Sequence, residues 1–364
     1  MVDTSPELIS IAAKNQALLE GVKRGLHKKF APFLRKIDRK VRDAILTAPD
    51  IQTSKKVAQE IEREVRQIQT LIYADYLEEL NVDLAAIGVQ QAAFEAKSYE
   101  AVVVDFKSSI PSKAQVIASY TINPLQVEDY AGNPLLDRVI KDNSAKEIKR
   151  ISKAVSDGFA QGLTNKQIST NIRGTKANRF NDGALAKSNN ANASIVRTAV
   201  QHVSTQARMA TMKSNDDLIK GYKIIVTFDS RTTTLCFDIG QQDITYPLGK
   251  GPIPPLHWGC RDAISPALSE KFDFLNKGAT RASKGAEGGK SVSVKLGSYD
   301  WMLTQPKSFQ EASMGVKRSK LLRDGGLTPT EYANLSTNSR FRTLTIKEMH
   351  EKEPSIFERA GVKP

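Results

Sequence analysis

The stretch FDSRTTTLCFDIGQQDITYPLGKGPIPPLHWGCRDAISP, Phe228 to Pro266, decides how this chain is read. It holds both cysteines of the protein, Cys236 and Cys260, and one of its four histidines, His257. His257 and Cys260 stand in a His-x-x-Cys spacing that suits chelation, and Cys236 from a preceding arm offers a third ligand for zinc. A structural zinc takes four ligands, and Asp238, Asp243 or Asp262 would have to complete the set. Three other readings stay open: two reduced thiols packed as small apolar groups beside a hydrogen-bonded imidazole, a disulfide in an oxidising compartment, and a Cys/His nucleophilic dyad. The dyad lacks a strand-to-helix elbow to present it.

The flanks of the cluster point to a rigid clasp. Gly249 and Gly251, then Pro252, Pro254 and Pro255, make an extended approach to His257 that regular secondary structure does not use. Asp229 with Arg231 before Cys236, and Arg261 with Asp262 after Cys260, are placed to form ion pairs that tie the two arms.

Moving outward, Lys223 to Phe228 (KIIVTF) has the β-branched content of a strand. Upstream, Ile195 to Met212 has helical spacing and carries Arg197, His202 and Arg208, with His202 read as a surface or hydrogen-bonded histidine. Residues 173 to 192 read as a polar surface loop. Lys146 to Gly162 is a helix with Gly162 as its cap, and Thr164 with Gln167 opens another through a capping box. A helix-turn-helix DNA reader over 146 to 172 is an alternative reading of this pair. The prolines at 111, 124 and 134 mark a junction between Ser108 and Pro134.

The first hundred residues read as all-α. Leu19, Val22, Leu26, Phe30, Phe33, Ile37, Val41 and Ala44 step by three or four, giving one long amphipathic helix. Its polar face carries Arg35, Lys36, Arg39, Lys40 and Arg42, suited either to solvent or to phosphates and an acidic partner. A second helix starts near Ser54 with Glu60, Glu62 and Glu64 early in it, and a third spans Asp83 to Val104. Past the central stretch, Asn276 to Gly297 is rich in Gly, Ala, Ser and Lys and reads as a flexible linker. Trp301 to Gly325 reads as helix, and capping boxes follow at Thr328 with Glu331 and Thr345 with Glu348.

The expected fold is therefore α+β and mainly helical, with a small core domain containing a β-hairpin. The expected division is 1–107, helical; 108–275, core; 276–297, linker; 298–364, a helical module. With 40% apolar residues the chain is globular. A net charge of +13 favours a polyanionic partner or simply solubility. The amino terminus carries no export signal and no apolar run reaches membrane-spanning length, so an aqueous compartment and reduced thiols are expected.

The order of these features resembles the phage Mu protein F-like head morphogenesis family, the minor head proteins of tailed bacteriophages. The resemblance rests on a helix with Arg197-Thr198, a strand, D-x-R-T-x-x-x-C from Asp229 to Cys236, and P-P-x-H-x-x-C-R from Pro254 to Arg261. The tail, with Trp301-Met302-Leu303-Thr304-Gln305-Pro306, Phe309-Gln310, Gly315 and Lys317-Arg318, is similar as well. Many members have Cys-Arg-Cys where this chain has Cys260, Arg261 and Asp262. The resemblance implies a non-enzymatic virion protein, made in the host cytoplasm and placed in the head interior or at the portal. It implies other head proteins as partners, and the charge adds packaged double-stranded DNA. The rival readings are a zinc-dependent hydrolase or nuclease and a free-standing DNA-binding protein; no cofactor is expected, zinc excepted.

Overall fold

The computed structural model describes residues 6–103, 105–127, 132–269, 280–293, 295–338 and 341–364. It is mainly helical, with two small antiparallel sheets, as the sequence leads one to expect. No helix among the described residues is long and apolar enough to cross a membrane.

Helices α1 (Pro6–Lys28) and α2 (Phe30–Thr47) replace the single helix expected from Leu19 to Ala44. The break falls at Lys29, three residues before Pro32, whose missing N–H and bulky ring disrupt the preceding turn. Leu19 and Leu26 of the expected stripe are buried, but Val22 is exposed and Lys23 takes its place in the core. Helix α3 (Lys55–Val102) merges the two helices expected from Ser54 and over Asp83 to Val104. Its 48 residues span roughly 70 Å at the α-helical rise. No proline interrupts it, and its one glycine, Gly88, sits where α4 (Lys113–Ile122) and α7 (Ala184–Lys213) approach. A Cβ there would lie 3.1 Å from Val116 and 3.2 Å from Val203.

Helix α4 follows Pro111 and opens on a capping box of Ser112 and Gln115; α5 (Leu136–Ala160) follows Pro134. Helix α6 (Asn165–Arg173) starts at the predicted Thr164–Gln167 box, after Gly162 at φ +69°. The loop expected over 173 to 192 is shorter, because α7 already begins at Ala184. The Asp182 carboxylate closes that loop by accepting from the Thr175 amide and hydroxyl and from the Asn178 side chain.

One apolar core runs through α1 to α7, joining Phe30, Ile37, Ile61, Val65 and Tyr76 to Val139, Val155, Ile168, Val196 and Val200. The division expected between residues 107 and 108 thus has no counterpart in the packing; the prolines there shape turns inside one body. Gly158 of α5 is where α6 crosses most closely, and a Cβ would stand 2.3 Å from an Ile168 side-chain carbon. Gly158→Ala is expected to destabilise the protein by about 1–3 kcal/mol through overpacking, measured by urea unfolding. A change below about 0.5 kcal/mol would show that the α5–α6 contact yields freely.

Strand β1 (Ile219–Ile225) lies earlier than the expected 223–228. After α8 (Thr234–Gln242) come β2 (Tyr246–Pro247) and β3 (Ala263–Leu268), antiparallel to β1 on either side in the order β2-β1-β3. Tyr222 faces Tyr246 on one side and Pro266 on the other. Strands β4 (Thr280–Gly285) and β5 (Gly288–Ser293) form a hairpin where a flexible linker was expected; residues 276–279 and 294 of that linker lie outside the described residues. The alternation that makes β4 a strand is carried by buried Arg281 and Ser283 rather than by apolar residues. Arg281 places its guanidinium 3.8 Å from the Phe228 ring centre and donates to the Leu296 carbonyl.

The carboxy-terminal module comprises α9 (Ser298–Leu303), α10 (Lys307–Met314), α11 (Val316–Asp324), α12 (Pro329–Ser336), α13 (Ile346–Lys352) and α14 (Pro354–Ala360). The one helix expected from Trp301 to Gly325 is divided at Pro306 and at Gly315, whose φ of +85° ends α10. Both predicted capping boxes are formed, at Thr328 and Thr345. Tyr299, Trp301, Met302, Leu321 and Tyr332 pack onto Phe228 and Phe237, so this module closes directly over the central stretch.

Candidate functional site

Three segments bring the Cys/His cluster together. Thr233 caps α8 by accepting from the Cys236 amide, which places Cys236 in the first turn of the helix. The proline-rich arm, with Pro255 buried, delivers His257. The turn His257-Trp258-Gly259-Cys260 closes when the Cys260 amide donates to the His257 carbonyl at 3.1 Å, with Gly259 at φ +71°. Cys260 then leads through Asp262 into β3.

The imidazole Nε2 of His257 lies 3.2 Å from Cys236 Sγ, and the ligand atoms of Cys236, His257 and Cys260 all lie within 4.8 Å of one another. Both cysteines are free thiols and wholly buried. The other ring nitrogen, Nδ1, donates to the Trp258 carbonyl at 3.0 Å. With only protons in the pocket the trio sorts its charge. Burial opposes ionisation of Cys260, but hydrogen bonds from Cys236 and His257 and the imidazolium charge outweigh it and draw this thiol well below its ordinary value. Burial and the neighbouring charges of Cys260 and Asp262 push the Cys236 thiol up. Burial likewise opposes protonation of His257, yet Cys260 and Asp262 carry it up to about 9. The cluster is thus a buried imidazolium–thiolate pair with a second thiol beside it, a donor set of the kind a borderline-soft cation takes.

Of the three aspartates considered as a fourth ligand, only Asp262 adjoins the cluster. Its Oδ2 is 3.7 Å from Cys260 Sγ while Oδ1 accepts from the Thr227 amide. Asp238 points instead into the carboxy-terminal module, and Asp243 is exposed and paired with Lys223 at 3.0 Å. The expected ion pairs are rearranged. Arg261 does not pair with its neighbour Asp262 but reaches across to grip Asp229 with both guanidinium nitrogens, at 2.5 and 2.6 Å. Arg231, mostly exposed, adds a longer contact to the same carboxylate. Burial would raise the Asp229 pKa, but the bonds and charge of Arg261 hold it down at about 2. The two arms are therefore tied twice, through the cluster and through this bidentate pair.

Several residues at the site escaped the sequence reading. Lys23 of α1 is buried with its ammonium on Glu20, on the Gln201 side chain and, at 3.3 Å, on the Cys260 carbonyl. Gln201 also donates to the Asp262 carbonyl at 2.7 Å, and the Thr198 hydroxyl accepts from the Gly259 amide at 3.0 Å. One signal was available: Lys23 stands four residues after Leu19 and three before Leu26, on the apolar stripe, where a charged side chain needs a buried partner. His202 is buried rather than at the surface, bonded to the Tyr120 carbonyl, with burial lowering its pKa to about 4. Among the basic residues of α2, Arg35, Arg39 and Lys40 are exposed, Arg42 is half-buried, and Lys36 pairs with Asp75 at 3.1 Å.

Comparison of the chain with protein-family models, with curated proteins and with solved structures returned no match.

Proposed function

We propose that this chain is a minor structural head protein of a tailed bacteriophage, acting in head morphogenesis from the head interior or the portal region. The observation that carries the reading is that the two sequence arms resembling the Mu F-like pattern, Asp229 to Cys236 and Pro254 to Arg261, meet side chain to side chain. A pattern selected as a clasp is expected to close in this way. Burial of both sulfurs favours holding over hydrolysis, because a catalytic metal keeps a coordination position open to water and substrate. Mass spectrometry of purified particles tests the role. The chain should copurify with virions in few copies, and its absence from washed particles would sink the reading.

The net charge and the exposed face of α2 support packaged double-stranded DNA as a partner, through phosphate contacts indifferent to sequence. Replacing Arg35, Arg39 and Lys40 with glutamine should weaken binding to any duplex equally. It should also flatten the dependence of log K on log salt by about 0.9 for each phosphate that the variant no longer neutralises. Fluorescence anisotropy over a salt series measures both, and an unchanged slope would remove this face from the interface.

A further inference from the structure

We propose that Cys236, His257, Cys260 and Asp262 form a structural zinc site, with the Asp262 carboxylate as fourth ligand. This is independent of the phage assignment and rests on four features of the pocket.

The first is spacing. Zinc bonds of ~2.3 Å to sulfur and ~2.0 Å to nitrogen or oxygen, at tetrahedral angles, put neighbouring donor atoms roughly 3.5–3.8 Å apart. Of the observed separations, the 3.7 Å from Cys260 Sγ to Asp262 Oδ2 falls inside that range and the 3.2 Å from His257 Nε2 to Cys236 Sγ falls about 0.3 Å short of it. The other two sides of the Cys236–His257–Cys260 triangle are no longer than 4.8 Å.

The second is orientation. A carbonyl only accepts, so the 3.0 Å contact to Trp258 makes Nδ1 the donor and leaves Nε2 to carry the lone pair of the neutral ring, facing the sulfurs. A backbone carbonyl on the far nitrogen is the usual outer contact of a metal-bound histidine. Asp262 is oriented in the same manner, with Oδ1 held by the Thr227 amide and Oδ2 turned toward Cys260.

The third is enclosure. Cys236, Cys260 and Asp262 are all buried, which fits a closed four-ligand structural site and leaves no open position for substrate. The fourth is charge. Two thiolates and a carboxylate around zinc leave a net negative charge, and the buried ammonium of Lys23, which also pairs with Glu20, stands on the Cys260 carbonyl. Zinc here would join the first turn of α8, the proline arm and the start of β3. It would pin the surface on which Phe237 and Trp301 stack the carboxy-terminal module to the rest of the body.

The full-length chain, purified reduced and without chelator, should carry one zinc per molecule by elemental analysis. Cobalt(II) should replace it with the visible absorption of a tetrahedral ion and a thiolate charge-transfer band. Asp262→Asn keeps an acceptor for the Thr227 amide, so it should fold, and it should lower metal affinity at least about 100-fold, beyond the usual loss from an outer contact. Asp262→Cys should restore or exceed the original affinity and add charge-transfer intensity. Cys236→Ser and His257→Ala should each lose the metal and unfold at lower temperature, and a chelator should lower the melting point of the wild type but not of these variants. Zinc below about a tenth of stoichiometry together with no tetrahedral cobalt spectrum would overturn the site, as would a Cys236–Cys260 disulfide recovered without metal. Zinc bound equally well by Asp262→Asn would overturn Asp262 as ligand.

Discussion

Asp238→Ala is expected to lower the unfolding free energy by about 3–6 kcal/mol, because it strips the acceptor from three buried hydroxyl groups at once. Tyr299 and Ser336 each donate to Oδ1 at 2.5 Å, and Thr337 donates to Oδ2. These bonds fasten α9 and the end of α12 to α8. The loss should appear first as increased hydrogen exchange in residues 298–338, with α3 and α7 still protected. Uniform loosening of the whole chain would argue that the module and the body unfold as one unit.

The same group makes stability depend on pH. Burial drives the Asp238 carboxyl up to about 7, against the hydroxyl bonds and the charge of Arg318 that lower it. In the unfolded chain an aspartic acid titrates near ~3.9. Between those values the folded protein keeps a proton that the unfolded chain has released. The stabilisation is therefore full below about pH 4 and is lost as pH rises to about 7, by an amount of order 4 kcal/mol. The test compares wild type with Asp238→Asn. The variant should fall less steeply in urea unfolding between about pH 4 and pH 7, and parallel curves would exclude Asp238 as a source.

Arg208→Met is expected to cost about 3–5 kcal/mol by leaving a carboxylate alone in the core. Arg208, on α7, is almost fully buried, with Nε 3.5 Å from Glu95 Oε2 and Nη1 donating to the Ile264 carbonyl of β3 at 2.8 Å. Glu95 is also buried, and burial pushes its pKa up while the guanidinium and the Tyr99 hydroxyl, 3.3 Å away, oppose the rise. The arginine thus links α3, α7 and the sheet. Adding Glu95→Leu should recover much of the loss, since well-packed apolar pairs replace buried ion pairs at little cost. A double-mutant cycle reads the coupling, and a value near zero would mean that Arg208 acts through Ile264 alone.

Local chemistry was legible in the sequence wherever one short segment decides the outcome. The capping boxes at Thr164, Thr328 and Thr345 form as read because their partners lie three residues away. Continuity was harder to judge. The expected helix over Leu19 to Ala44 breaks near Pro32, and the pair from Ser54 and from Asp83 fuses, because packing against α5 and α7 sustains helix through weakly patterned residues. The β4–β5 hairpin was hidden by its composition: its inward positions are Arg281, accommodated by the Phe228 ring and the Leu296 carbonyl, and Ser283, which donates to the Lys290 carbonyl.

By itself the sequence determined the mainly helical α+β class, the helix starts marked by capping boxes at Thr164, Thr328 and Thr345, and the concentration of Cys236, His257 and Cys260 in one stretch with an aspartate nearby. Spacing along the chain, dihedral preferences and capping are local properties, and residue types specify them. Which aspartate faces the sulfurs, that Arg261 grips Asp229 rather than Asp262, and that Lys23 and Gln201 support the cluster from residues far away in the chain were decided only by the tertiary structure. The reason is physical. Buried polar groups take whichever partners the packed helices bring within about 3 Å, and that choice depends on how distant elements cross, which no local pattern encodes.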